Sequence, residues 1–339
     1  MAESTIAAIV LAAGEGTRMK SREPKVLHPV GGKAMIDRVL DAVRSAGVER
    51  VILVTGHEEG RIRAHVDGRA EFVTQAEQLG TGHAVMQARE ALKDFRGRAL
   101  ICCGDAPLWR PETLAGAVEA LADERQAGVV VTMTLDDPTG YGRIVRDAEG
   151  RVARIVEHRD ADEETRRIRE VNSGTYCFRA PDLFEALDRV GNANVQGQYY
   201  LTDAIEVFGW AGRPVTALQV EDADEAMGIN SRAELARAEE ALRRRTLEAI
   251  MRAGVTVVDP AATWIEADVA IGRDTTIEPG TIVRGRTTIG EGCRIGPFAE
   301  IVDSTVGDGA RVSHSVVEGR KIEAGGIVGP FKHLRRGAK

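Results

Sequence analysis

At 339 residues the chain exceeds one ordinary domain, so two are expected. A net charge of −7 argues against a nucleic-acid or acidic-membrane partner. No signal peptide and no apolar run of the ~18 residues needed to cross a bilayer stands in the sequence, so no membrane insertion is expected and the expected compartment is the cytoplasm.

Apolar runs at 6–11, 51–54, 99–103 and 129–134 predict strands. Segments 34–46, 82–93 and 111–123 carry apolar residues at three- and four-residue intervals and predict helices between them. Such alternation implies an α/β fold, a doubly wound and mostly parallel sheet covered on both faces. Ligands of these sheets bind beyond the carboxyl ends of strands. The first run delivers Gly14-Glu15-Gly16-Thr17, followed by Arg18 and then Pro24-Lys25. A glycine-rich turn lets backbone N–H groups approach a polyphosphate, and Arg18 and Lys25 add fixed positive charge beside it. The segment lacks the GKS/T ending of a P-loop, and Met19 stands where a dinucleotide fingerprint needs its third glycine. Gly14 and Gly16 alone would read equally well as a surface strand-to-helix turn. Cys102, Cys103, Cys177 and Cys293 show no metal spacing and read as buried reduced thiols, with adjacent Cys102 and Cys103 on opposite faces of a strand. His28, His57, His65, His83 and His158 form no zinc-type pair.

From Ser231 to about Arg252 a charged, alanine-rich helix is predicted, opened by the Ser231/Glu234 capping box. The period then becomes six, at Ile271, Ile277, Val283, Ile289, Ile295 and Ile301. One-residue slips give Val306, Val312, Val317 and Ile322, before Val328 and Leu334 restore it. A three-sided parallel β-helix keeps such a period, with one aliphatic residue per short face. The expected domains are therefore 1–230, a linker helix at 231–253, and about four coils at 254–339.

The segment from Leu11 to Lys25 resembles the LxxGxGTRxxxxxPK signature of sugar-nucleotide pyrophosphorylases (nucleotidyltransferases). The blocks at 75–84, 136–144, 155–158, 170–174 and 198–203 narrow the resemblance to one family. It is the bacterial bifunctional N-acetylglucosamine-1-phosphate uridylyltransferase/glucosamine-1-phosphate acetyltransferases, and the resemblance runs from about residue 5 to the block Val328–Gly337. It implies a Rossmann-like nucleotidyltransferase domain and a left-handed β-helix of hexapeptide repeats, the latter commonly trimeric. UTP and N-acetylglucosamine-1-phosphate would be the substrates and Mg²⁺ the cofactor, in the service of cell-wall peptidoglycan synthesis.

That resemblance assigns roles residue by residue. Leu11, Ala12, Ala13, Gly14 and Lys25 would hold the nucleotide, with Arg18 and Lys25 catalytic. Gln75, Gly80 and Thr81 would read uracil, although Gly80 to Gly82 could equally be a turn opening a helix. Gly142, Glu157 and Asn172 would hold the sugar, against the alternatives of a solvated glutamate and a turn asparagine. Asp105 and Asn230 would ligate the metal through hard oxygens. The alternatives are an Asx turn before Pro107 and a helix-cap neighbour. Arg335 matches a residue of the family's second site. The family's later coils and catalytic histidine have no counterpart here, so acetyl transfer is not expected. The competing readings are a nucleotidyltransferase for another sugar-1-phosphate or NTP, and a non-catalytic assembly subunit. Retention of Arg18, Lys25 and Asp105 speaks against the latter.

Overall fold

The computed structural model describes residues 6–56 and 58–335, so His57, Arg336 and Gly337 lie outside the described residues. The chain divides into two compact units, one of residues 6–28 and 34–234, the other of 29–33 and 235–335.

The first unit is built on a nine-stranded sheet. Its strands are β1 (Ile6–Ala12), β2 (Arg50–Thr55), β3 (Glu71–Thr74), β4 (Arg98–Cys103), β5 (Gly128–Thr134), β6 (Arg143–Arg146), β7 (Val152–Val156), β8 (Glu170–Arg179) and β9 (Val215–Gln219). Their spatial order is β3-β2-β1-β4-β8-β5-β9-β7-β6. Only β8 and β7 run against the others, so the sheet is mostly parallel with two reversed strands.

Strand alternation sorts the side chains into two cores. Ala8, Val10, Leu53, Leu100 and Cys102 face one side, where they meet Val39 and Leu40 of helix α1 (Met35–Ser45), Ile62 of α2 (Glu59–Val66) and Leu114. Ile9, Ile52, Val54 and Ile101 face the other, with Leu183, Phe184, Ile205 and Phe208. The expected helix at 82–93 is α only over Thr81–Met86 (α3). The reason is local: the Gln87 side chain donates to the His83 carbonyl at 3.0 Å. The backbone N–H of Gln87 turns instead to Ala84, at 3.2 Å, and tighter turns follow. The helix expected at 111–123 is α4 (Pro111–Glu119), with Leu121 already bonding three residues back to Val118. Helices α5 (Glu163–Arg166), α6 (Ala180–Leu187) and α7 (Ala204–Trp210) complete this unit.

Helix α8 (Arg232–Arg252) starts at Ser231, whose hydroxyl accepts from Glu234 N at 3.3 Å. The Glu234 carboxylate returns to the N–H of Asn230, not of Ser231, at 2.7 Å. In the second unit Leu247 of this helix is buried with the first coil of a left-handed β-helix. Three parallel sheets of five, five and four short strands form its faces. Val257, Ile277, Ile295, Val312 and Val328 stack on one face, and Ile265, Val283, Ile301, Val317 and Leu334 on the next. The third carries Ile271, Ile289, Val306 and Ile322. The slips in period leave this stacking intact. A second period, of small residues two positions before the aliphatic one, went unread in the sequence. Thr281 and Thr287 are buried there, and each hydroxyl donates to a carbonyl three residues back, at 2.7 and 2.6 Å. Such bonds satisfy polar groups inside a thin prism.

Ile295 is fully buried at the middle of its face. Ile295→Ala should cost about 2–5 kcal/mol of the β-helix's stability. Amide exchange of residues 276–312 should accelerate accordingly, while the amides of β1 and β4 should be unaffected.

Candidate active site

The parallel pairing of β1 with β4 sets Leu11 opposite Cys103, and Gly104 N donates to Leu11 O at 2.8 Å. The glycine turn and Asp105 therefore leave the sheet side by side. Gly16 takes the left-handed region at φ 63°, and the chain then makes a 3-10 turn, Thr17–Met19, pinned by buried Met19. A side chain at Gly16 would put its Cβ 2.6 Å from the Lys25 Cβ, so the lysine stem lies directly across the turn. Arg18 stands exposed on the 3-10 turn.

Beside this turn is a cleft of about 230 Å³ lined by Leu11, Ala12, Ala13, Gly14, Lys25, Gln75, Gly80, Thr81 and Asp105. All the residues expected at the nucleotide line it, and Arg18 does not. Gln78, Cys103 and Gln198 also line it, and sequence reasoning gave none of them a role. Gln78 sits in the block 75–84 and donates to Ala13 O at 2.7 Å, bracing the end of β1.

Gln75 is buried, and its amide nitrogen donates to Gly80 O at 3.0 Å and contacts His83 Nδ1 at 3.1 Å. An inverted amide would set two carbonyl oxygens against each other, so the orientation is fixed. One amide hydrogen is engaged by Gly80 O, and the carbonyl oxygen is left as an acceptor for a ligand. Gly80 (φ 110°) both caps α3 and touches the backbone of Tyr199, where an added Cβ would stand 2.5 Å from the carbonyl. Gly82 N donates to Tyr199 O at 2.8 Å, and Thr81 Oγ1 accepts from Leu201 N at 3.1 Å. The block 198–203 is thus the back wall of the loop at 79–82.

Gly142, Glu157 and Asn172 come together. Asn172 N donates to Gly142 O at 2.8 Å, and a Cβ on Gly142 would lie 3.3 Å from Glu157 Oε1. Glu157 is half-buried and accepts from Thr202 Oγ1 at 3.4 Å. Burial raises its pKa above the ordinary carboxylate value, and nearby Asp203 and Asp160 add to this. It is not a solvated surface charge. Asn172 does make a turn, with Oδ1 accepting from Gly174 N at 3.0 Å, where β8 bulges against β5. Bulges re-aim side chains at sites, and this one packs Gly174 against Cys103. The Cys103 thiol is pushed up to about 12 by burial and Asp105, which keeps it protonated.

Asp105 forms an ion pair with Lys25, and Lys25 Nζ also donates to Asn230 Oδ1 at 2.9 Å. Asp105 O accepts from Ile229 N at 2.9 Å, which ties the two segments together. Asn230 therefore has its N–H at the start of α8 and its side chain beside the Lys25–Asp105 pair. The described residues contain no group of three His, Cys, Asp or Glu side chains able to hold a metal. One carboxylate and one amide oxygen that already share a cation fit Mg²⁺, which takes few protein ligands and completes its octahedron with phosphate and water.

Residues 8–200 match the MobA-like NTP transferase domain family, and residues 268–303 match bacterial transferase hexapeptide (six repeats). The chain is 47% identical over 332 residues to bifunctional protein GlmU of Geobacillus sp. (strain WCH70), covering 98% of this chain and 72% of that one. To bifunctional protein GlmU of Enterococcus faecalis it is 48% identical over 328 residues, covering 97% of this chain and 72% of that one. A crystal structure of UDP-glucose pyrophosphorylase complexed with UDP-glucose superposes with a TM-score of 0.56 at 19% identity, covering 71% of this chain and 99% of that one; it supports the fold alone. With nearly its whole length aligned to such relatives, and the two domain types in the same order, the chain belongs to the bifunctional GlmU family and is a nucleotidyltransferase.

Proposed function

We propose that the chain transfers the uridylyl group of UTP to N-acetylglucosamine-1-phosphate, giving UDP-N-acetylglucosamine and pyrophosphate. The observation that supports it most is one cleft in which Gly14, Lys25, Gln75, Gly80 and Asp105 meet. A phosphate oxygen of the sugar attacks the α-phosphorus, and the bond to the β-phosphate oxygen breaks. Phosphate oxygen is already nucleophilic, so the site has to align the groups and neutralise spreading charge. Backbone N–H groups at Gly14–Gly16 face the phosphates, with Lys25 and Arg18 as the cations. The Gln75 carbonyl accepts from the imide N–H of uracil, and Gly80 lets the base approach the backbone. Asp105 and Asn230 would hold Mg²⁺, which supplies Lewis-acid charge at the phosphates. Gly142, Glu157 and Asn172 take the sugar's hydroxyl and N-acetyl groups.

Residues 1–230 form the catalytic domain in this proposal, 231–253 a connecting helix and 254–339 an assembly domain. Phe298, Ile327 and Phe331 are exposed on the β-helix, which supports a homotrimer burying them. His314 packs between the Phe298 and Phe331 rings and His333 sits 3.3 Å from Glu318, so both histidines of the repeats have structural neighbours. Acetyl transfer is not part of the proposed activity. Four unbridged cysteines support a cytoplasmic location, and no helix among the described residues is long and apolar enough to cross a membrane.

Pyrophosphate release from each NTP paired with each sugar-1-phosphate should be fastest for UTP with N-acetylglucosamine-1-phosphate; another preferred pair would refute the substrate assignment. In that assay Arg18→Ala should lower kcat by roughly two to three orders of magnitude while KM moves little. Turnover near that of the unchanged enzyme would remove Arg18 from the machinery.

Sedimentation of the intact chain should give three times its monomer mass, and acetyl-CoA with glucosamine-1-phosphate should give no acetyl transfer. A monomer, or measurable transfer, would contradict the corresponding part of the proposal.

Asp203, next to Thr202, is raised from the usual 3.8 to about 6 by burial, with Glu206 and Asp160 contributing. A raised carboxyl favours the folded state while protonated. That contribution is complete below about pH 4 and lost as pH rises through about 6. Asp203→Asn, which cannot ionise, should therefore gain on the unchanged chain across this window. The gain should reach about 1–2 kcal/mol above it, a figure already halved for partial exposure. Denaturation curves of both proteins at pH 4.5 and 7.5, pH values set about that window, measure the difference. A gain independent of pH would exclude ionisation as its cause.

A further inference from the structure

The placement of Lys25 carries more than a phosphate contact. Its ammonium lies between the Asp105 carboxylate and the Asn230 amide oxygen, the two oxygens offered to a metal. Lys25 and Asp105 side chains are only 11% and 18% exposed, so the carboxylate's charge must be matched locally when no metal is bound. The lysine stem lies across the glycine turn, with Cβ, Cγ and Cδ 2.6, 3.4 and 3.5 Å from where a Gly16 Cβ would be. An ammonium and a small divalent cation compete for the same hard oxygens, and their mutual repulsion across one carboxylate opposes holding both.

We propose that Lys25 is an internal counter-ion that holds the metal's place between Asp105 and Asn230 until a divalent cation displaces it. The stem keeps the released ammonium beside the glycine turn. Arrival of the metal therefore makes the lysine available to phosphate, so that the charges of metal and lysine are assembled in one event. In the metal-free protein the lysine is committed to Asp105, and the turn offers an incoming phosphate less positive charge. This inference rests on the reading of Asp105 and Asn230 as metal donors.

Two measurements on the 339-residue chain without nucleotide test it. Mn²⁺ titration followed by electron paramagnetic resonance should show Lys25→Met, which keeps the packed stem, binding Mn²⁺ roughly ten- to a hundredfold more tightly than the unchanged chain. Removing a nearby positive charge would also favour Mn²⁺, so the second measurement follows displacement itself. Saturating Mg²⁺ should raise labelling of Lys25 by an amine-reactive probe severalfold in the unchanged chain, with exposed Lys20 unaltered. Labelling of Lys25 that Mg²⁺ leaves unchanged, or a Lys25→Met chain with no gain in Mn²⁺ affinity, overturns the proposal. Asp105→Asn separates it from the reading beneath: if that change does not weaken Mn²⁺ binding, the metal site is misplaced. If it does weaken binding while Lys25→Met gives no gain, the counter-ion role fails alone.

Discussion

The site depends on the register between two parallel strands. Pairing β1 with β4 so that Leu11 faces Cys103 makes both strands stop at the same level. Their next residues, the glycine turn and Gly104-Asp105, then emerge as neighbours although about ninety positions separate them in sequence. The bond from Gly104 N to Leu11 O fastens the two exits. A slip of one residue would turn every β1 side chain to the wrong core and carry the turn away from Asp105. Burial of Ile9 on one face and Val10 on the other thus fixes the active-site geometry as well as the fold.

Around those exits, rigidity comes from backbone contacts made by motifs whose chemistry is indirect. Tyr199 O accepts from Gly82 N, while Tyr199 N and Leu201 N donate to Leu79 O and Thr81 Oγ1, and a side chain at Gly80 would block this contact. Gln78 braces Ala13 in the same way. Residues that touch no substrate in the proposed reaction therefore decide where the substrate-facing ones stand.

Much of this was legible in the sequence where the information is local. The strands around Ile9, Leu53, Ile101 and Val131 follow from apolar runs, and the β-helix from aliphatic residues six apart. What local periodicity cannot carry is pairing over distance. The reversal of β7 and β8, the bulge at Asn172 and the backing of the loop at 79–82 all depend on which strand lies beside which. The shortened helix at Thr81 turned on one side chain, Gln87, bonding a carbonyl that the helix needed. Gln75 lines the cleft, and its amide nitrogen is turned back to Gly80 O and His83 Nδ1, which only the folded loop reveals.

The β-helix shows how a repeat can change length without changing its core. Strand partners on one face are Thr276, Arg294, Arg311 and Ile327, so successive coils take 18, 17 and 16 residues. The removed residues come from the corners, since Ile277, Ile295, Val312 and Val328 still stack in line. The match to the hexapeptide family ends at residue 303, just where the coils begin to shorten. A coil can therefore lose a residue at a corner and keep its register, whereas the same loss inside a strand would reverse a face. The prism thus keeps its cross-section over coils of three different lengths, because the corners and not the faces absorb the difference.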